Sequence, residues 1–96
     1  MTSIEVTCVG EPAGWTCRVA LTDEAGRGEH RVRVGTADLE RLAPGLADPE
    51  DLVRRSFEFL LERERRTSIL AAFDLPVIGR YFPEYEGTIG RRRRSP

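Results

Sequence analysis

The chain has 96 residues, of which 40% are hydrophobic and 32% are charged. This length excludes a multidomain protein or a large enzyme, because an ordinary domain contains roughly 100–150 residues. No apolar run approaches the ~20 residues of a membrane-spanning helix, so we expect no membrane association.

The charge is unevenly distributed along the chain. All 15 basic residues are arginines, and the formal net charge is −1. Residues 1–90 hold 16 acidic residues and 11 arginines, a net charge of −5, and the four arginines at positions 91–94 add +4. An acidic body is not typical of a general nucleic-acid binder. We expect a single domain over residues 1–90 and a disordered basic tail over residues 91–96.

Three segments in the first half alternate between apolar and polar residues. The pattern predicts half-buried strands over residues 4–8, 15–21 and 30–34. Turn residues separate the segments, so the strands should form an antiparallel meander. If Val6 lies opposite Val19 in the first hairpin, Cys8 falls opposite Cys17 on the inward face.

Helix signals follow the strands. Thr36 is the expected N-cap of a short helix over residues 37–42, and Asp48 that of a long helix running from Pro49 to about Arg66. The apolar residues of the long helix cover an arc of about 200°. We expect short helices over residues 69–73 and 75–82 to fold back on this wide face, and residues 84–90 to be irregular.

The predicted fold class is therefore α+β with two layers. A three-stranded antiparallel β-meander packs on one long α-helix, and short C-terminal helices follow. The alternation places three arginines on the outward face of the meander, away from the helix.

The C-terminal half carries the segments SFEFLLERE at residues 56–64, FDL at 73–75 and IGRYFPEYE at 78–86. Over roughly residues 50–86 it resembles a group of small uncharacterised bacterial proteins of about this length. The resemblance implies a bacterial source and carries no function with it.

Few side chains in this sequence are suited to catalysis. His30 is the only histidine, and we expect it to be structural or solvated rather than a general base. No serine lies in a Gly-x-Ser-x-Gly elbow, and no glycine-rich phosphate loop is present. We therefore expect no enzymatic activity, no catalytic residue and no cofactor.

The two cysteines do not form a metal-binding motif. Two cysteines alone make no zinc site, and with Cys17 opposite Val34, His30 would lie roughly 13 Å along the third strand. We expect no bound metal. The first 20 residues lack the pattern of a signal peptide, so we expect a cytoplasmic protein with Cys8 and Cys17 as reduced thiols. A redox-switchable cross-strand disulfide is the alternative.

The apolar helix face and the aromatic C-terminal third suggest an interaction surface. A domain of this size buries only about 60–65% of its unfolded surface, and the excess apolar residues can be covered by a second copy or a partner. The leading hypothesis is a small non-enzymatic cytoplasmic protein-interaction module, a self-associating homodimer. The expected contact residues are Phe59, Leu61, Tyr81, Phe82 and Tyr85.

The alternative hypothesis is a nucleic-acid-associated accessory protein. It would use the localised basic charge of the outer sheet face and the tail, although the outward face offers no aromatic residue for base stacking. The same charges also fit an ordinary solvated surface. The residues that would bind nucleic acid are Arg18, Arg31, Arg33, Arg91, Arg92, Arg93 and Arg94.

Overall fold

The computed structural model describes residues 2–45 and 48–92, with side chains up to residue 89. One sheet contains the strands β1 (Ser3–Glu11), β2 (Gly14–Asp23), β3 (Gly26–Gly35) and β4 (Ala72–Asp74). The helices are α1 (Thr36–Leu42), α2 (Pro49–Leu61), α3 (Ile78–Tyr81) and α4 (Tyr85–Arg92). Single 3-10 turns lie at Arg66–Ser68 and Leu75–Val77.

The antiparallel pairing predicted for the first three strands is confirmed, and so is the register of the first hairpin. Strands β1, β2 and β3 pair antiparallel, with Val6 opposite Val19 and Cys8 opposite Cys17. Alternate residues of β2 and β3 point into the core, as the period-2 pattern predicts. The fully or nearly fully buried ones are Cys17, Val19, Leu21, Val32 and Val34.

The two hairpins close through different local chemistry. Gly14 opens β2 with a φ of +156°, and a Cβ atom there would lie 2.1 Å from the Val34 carbonyl oxygen. In the second hairpin the Asp23 carboxylate accepts hydrogen bonds from the backbone N–H groups of Ala25 and Gly26. It also accepts one from Arg66, at 3.0 Å, and this bond is the main reason that the pKa of Asp23 lies below its usual value.

The prediction of a three-stranded meander on one long helix is wrong, because the sheet has a fourth strand and is mixed. Strand β4 runs parallel to β3, with Val32 opposite Phe73. The backbone N–H of Arg31 donates to the Ala71 carbonyl at 2.8 Å. The outer edge of β3 carries backbone groups that need partners. An extended segment supplies them, whereas the short helix expected over residues 69–73 would not.

Helix α2 is also shorter than predicted, ending at Leu61 instead of Arg66. Four residues after Leu60 and Leu61 stand Glu64 and Arg65, so another helical turn would add no apolar contact. The predicted N-terminus is confirmed, since the Asp48 carboxylate accepts from the backbone N–H of Glu50 at 2.9 Å.

The start of the first helix and its N-cap each lie one residue earlier than predicted. Gly35 is the N-cap of α1, and its backbone N–H donates to the Asp38 carboxylate at 3.1 Å. Thr36, the expected cap, is the first helical residue.

The wide apolar face of α2 is covered within the chain on both sides. Phe57 packs against the rings of His30 and Phe73, and Phe59 packs edge-on against Phe82 and Tyr85. These aromatic contacts join the sheet, α2 and the C-terminal segment into one core.

The last helix replaces a segment that we expected to be irregular. Tyr85 and Ile89 are both buried, and their spacing of four residues favours a helix over this stretch. The backbone of Arg91 and Arg92 belongs to α4. Residues 93–96 of the predicted tail lie outside the described residues, and their disorder stays a prediction.

Candidate functional site

An apolar groove of about 300 Å³ opens beside the C-terminal end of α2. Its floor consists of Leu60, Ile69 and Ile78, all of which are buried. The segment leading into β4 forms one wall, and α3 with Phe82 forms the other. The groove is therefore built where three separate parts of the chain meet.

Two large apolar side chains project at the rim of this groove. Leu70 is 48% exposed and Tyr81 is 66% exposed. Within the described residues, the only other large hydrophobic side chain with comparable exposure is Val9, on the outer face of the sheet. An exposed aromatic ring beside an apolar recess is typical of a protein-binding surface.

A buried histidine fixes the wall that carries Leu70. The Nδ1 atom of His30 lies 2.7 Å from the Leu70 carbonyl oxygen. A carbonyl oxygen only accepts, so Nδ1 carries the proton and donates. The ring is 7% exposed and packs against Phe57. His30 is thus buried rather than solvated, and its hydrogen bond to Leu70 positions one side of the groove.

The opposite wall is held by aromatic packing and one ion pair. The Arg63 guanidinium stacks 3.6 Å above the Phe59 ring and donates to the Glu84 carboxylate at 3.0 Å. The pKa of Glu84 lies below its usual value, first because of its own backbone N–H and then because of Arg63. These contacts fix the chain just after Phe82, whose ring packs roughly perpendicular to that of Phe59.

The structure places the five predicted contact residues in three different environments. Tyr81 and Phe82 line the groove. Phe59 and Tyr85 are fully buried in the core and present no surface to a partner, and half-buried Leu61 lines a different concavity. The prediction missed Leu70 because it placed residues 69–73 in a helix. In the extended segment that forms instead, adjacent side chains point to opposite sides, so Leu70 faces outward where Ile69 faces the core.

The predicted nucleic-acid residues of the sheet do lie together. Arg18 is directly opposite Arg31 across the outer face, and Arg33 is two residues further along β3. All three side chains are exposed. For the tail, the structure gives only the backbone of Arg91 and Arg92; Arg93 and Arg94 lie outside the described residues.

The two cysteines form a disulfide, in place of the reduced thiols that we expected. Their Cα atoms are 4.0 Å apart, because the register sets them directly opposite each other. Cys17 pairs with Val32 rather than the assumed Val34, and His30 lies opposite Val19. No group of three His, Cys, Asp or Glu residues in the described part of the chain is arranged to hold a metal ion.

Comparisons with known proteins assign neither a family nor a function to this chain. No protein-family model, curated protein or solved structure matches the chain. The resemblance of residues 50–86 to small bacterial proteins therefore stays a prediction. No helix within the described ranges is long and apolar enough to cross a membrane.

Proposed function

We propose that this chain is a small non-enzymatic interaction module that forms a homodimer through the apolar groove. The observation that carries the proposal is the exposure of Leu70 and Tyr81 at the rim of one recess. In a two-fold dimer the same patch meets itself, so it must contain both a projecting group and a space to receive it. Here the Tyr81 ring of each copy would enter the groove of the other.

The other obvious route to self-association is obstructed. Strand β1 is an edge of the sheet, and an open edge can pair with a second copy. Two side chains of α2 occupy two of its outward backbone groups: Glu50 accepts from the Cys8 N–H at 3.0 Å, and Arg54 donates to the Ile4 carbonyl at 2.6 Å. This protection of the edge favours the groove as the self-association surface.

The size of the groove indicates a weak dimer. Ten residues line it, whereas a stable interface uses roughly 20–30 residues on each side. We therefore expect a dissociation constant in the micromolar range or above. A tyrosine that fills a recess at the centre of an interface typically contributes 2 kcal/mol or more, so about tenfold weakening is a conservative estimate for its loss.

Sedimentation equilibrium over a range of about 5 to 500 μM tests the proposal. The wild-type chain should shift from monomer to dimer, and Tyr81→Ser and Leu70→Ser should each weaken the dimer, the former by at least about tenfold. Val9→Ser is the matched control, because it removes an equally exposed apolar side chain from the outer sheet face. A monomer at every concentration, or an equal loss with Val9→Ser, would contradict the proposed dimer.

The proposed location is the cytoplasm, and the redox state of the two cysteines tests it independently of the dimer. Cys8 and Cys17 are disulfide-bonded in the structure. A reducing compartment keeps thiols free, so a cytoplasmic location requires this disulfide to be open in the cell. Alkylation of thiols at the moment of lysis, followed by mass measurement, should modify both cysteines. Recovery of mostly disulfide-bonded chain would refute the cytoplasmic location and leave the dimer proposal unaffected.

A further inference from the structure

We propose that the outer face of the sheet binds the phosphate backbone of nucleic acid through Arg18, Arg31 and Arg33. This surface is separate from the groove, because these side chains point away from the core whereas Phe73 of the groove wall points toward it. The inference therefore does not depend on the proposed dimer.

The three arginines form a compact positive cluster. Arg18 and Arg31 are direct cross-strand partners, so their Cβ atoms are about 4.5–5.5 Å apart. Arg33 follows Arg31 by two residues, roughly 6.7 Å along the strand. Like charges directly opposite each other destabilise a sheet. Because the Arg18–Arg31 pair lowers the stability of the sheet, its position on an open face indicates a role in binding.

Carboxylates lie on the same face, Glu5 among them, but none of those in the described residues forms an ion pair with the cluster. Glu29 pairs with Arg27 at 3.3 Å, and Glu11 accepts a hydrogen bond from the Thr16 hydroxyl at 2.7 Å. Asp74 lies opposite Arg33 in the β4 register, yet no ion pair forms between them. Across the described residues, no carboxylate lies within 4 Å of any of the three guanidinium groups. Arginines outside the sheet face do pair with carboxylates: Arg41, Arg55, Arg63 and Arg66.

The chemistry of the cluster points to phosphate. A guanidinium group presents a planar fork of donors that matches two oxygens of a phosphate group. Arg18 and Arg31 line none of the three concavities found in the described part of the chain. Arg33 lines one of them, together with the carboxylates of Glu11, Asp38 and Asp74, which would repel a small anion. A small phosphorylated ligand would therefore be left unenclosed. An extended polyanion needs no enclosure, because successive phosphates bind along an open surface.

The outer face of the sheet should bind nucleic acid without regard to its base sequence. No aromatic side chain belongs to the outward positions of β1, β2 or β3, so the surface has no platform for stacked bases. Contacts to phosphates position a protein without reading the bases. Three phosphate contacts give a slope of log K against log salt of about −2.7 for duplex DNA and about −2 for a single strand.

Fluorescence anisotropy with a labelled duplex of about 20 base pairs, over about 25–200 mM KCl, tests the inference. The double variant Arg18→Gln/Arg31→Gln should weaken binding at least about tenfold at the lowest salt and reduce the salt slope by about 2. The matched control is Arg41→Gln/Arg65→Gln, which removes the same charge from outside the sheet and should change affinity less than about twofold.

A thermal unfolding curve separates this role from a structural one. Loss of Arg18 and Arg31 removes a like-charge pair, so the double variant should unfold at an unchanged or higher temperature while losing DNA binding. No binding by the wild-type chain, or an equal loss in the control variant, would overturn the inference.

Two competition arms identify the ligand. Displacement of the duplex by polyglutamate at equal charge would reassign the face to acidic proteins. Displacement by about 10 mM inorganic phosphate would reassign it to a small anion, because free phosphate should compete poorly with a polyanion. Either result would refute the assignment to nucleic acid.

Discussion

Removing one hydroxyl at a time from the buried pair Ser56 and Tyr85 should destabilise the fold unequally. Both residues are fully buried, and their hydroxyl oxygens lie 2.6 Å apart. Ser56 also lies 2.8 Å from the carbonyl oxygen of Leu52, which can only accept. The single Ser56 proton therefore goes to Leu52, and Tyr85 donates to Ser56.

This direction sets the expected magnitudes. Tyr85→Phe leaves the Ser56 proton satisfied, so it should cost about 1 kcal/mol, the net value of one hydrogen bond. Ser56→Ala leaves the Tyr85 hydroxyl buried without an acceptor, at a cost of about 1–3 kcal/mol, offset by about 0.5 kcal/mol from better helix propensity. The double variant removes both groups, so it should be less destabilised than the sum by about 1–2 kcal/mol.

Urea unfolding at neutral pH measures the three differences. The fluorescence of Trp15, the only tryptophan, reports on the sheet, and far-UV circular dichroism reports on the helices. The coupling should exceed the ~0.5 kcal/mol scatter of independent sites. Additive effects of the two substitutions would refute the assigned donor and acceptor.

Two further outcomes follow from the same structure. Burial raises the pKa of the Tyr85 phenol above its usual value, so the folded state holds that proton longer than the unfolded state. The free energy of unfolding should therefore fall as the pH rises above about 10, by at most about 1.4 kcal/mol per pH unit, and urea titrations should show a flatter profile for Tyr85→Phe. Gly14→Ala should cost about 2 kcal/mol or more, because φ is +156° and the added Cβ would meet the Val34 carbonyl. Thermal unfolding measures this cost. Gly10→Ala is the control: its Cβ would lie 3.9 Å from the Trp15 ring, so it should change stability by less than about 0.5 kcal/mol.

The first half of the fold could be predicted because its signals are local. Alternation over β1 and β2 identifies the buried face, and the turn between them fixes the register that sets Cys8 opposite Cys17. The start of α2 is equally local, since Asp48 and Pro49 are adjacent and act on the first helical turn. The β1–β2 register and the start of α2 are therefore set by neighbouring residues and not by distant parts of the chain.

The contact residues were harder to predict, because hydrophobicity does not distinguish a core from an interface. Phe59 and Tyr85 have the same apolar character as Tyr81, yet they pack against each other at 5.2 Å and are fully buried. What separates them is the position of α4, which folds over α2 and is joined to it by the Ser56 bond. That arrangement links residues 29 positions apart and leaves no periodic pattern in the sequence.

The groove depends on the same long-range pairing that overturned the predicted fold. Once α2 ends at Leu61, the chain can return along β3, where Arg31 and His30 bind the carbonyls of Ala71 and Leu70. The segment is held extended, and an extended backbone points Ile69 into the core and Leu70 into solvent. A helix over these residues would place its side chains 100° apart and would not form this wall. The edge of β3, more than 35 residues earlier in the chain, therefore decides whether the proposed interface exists.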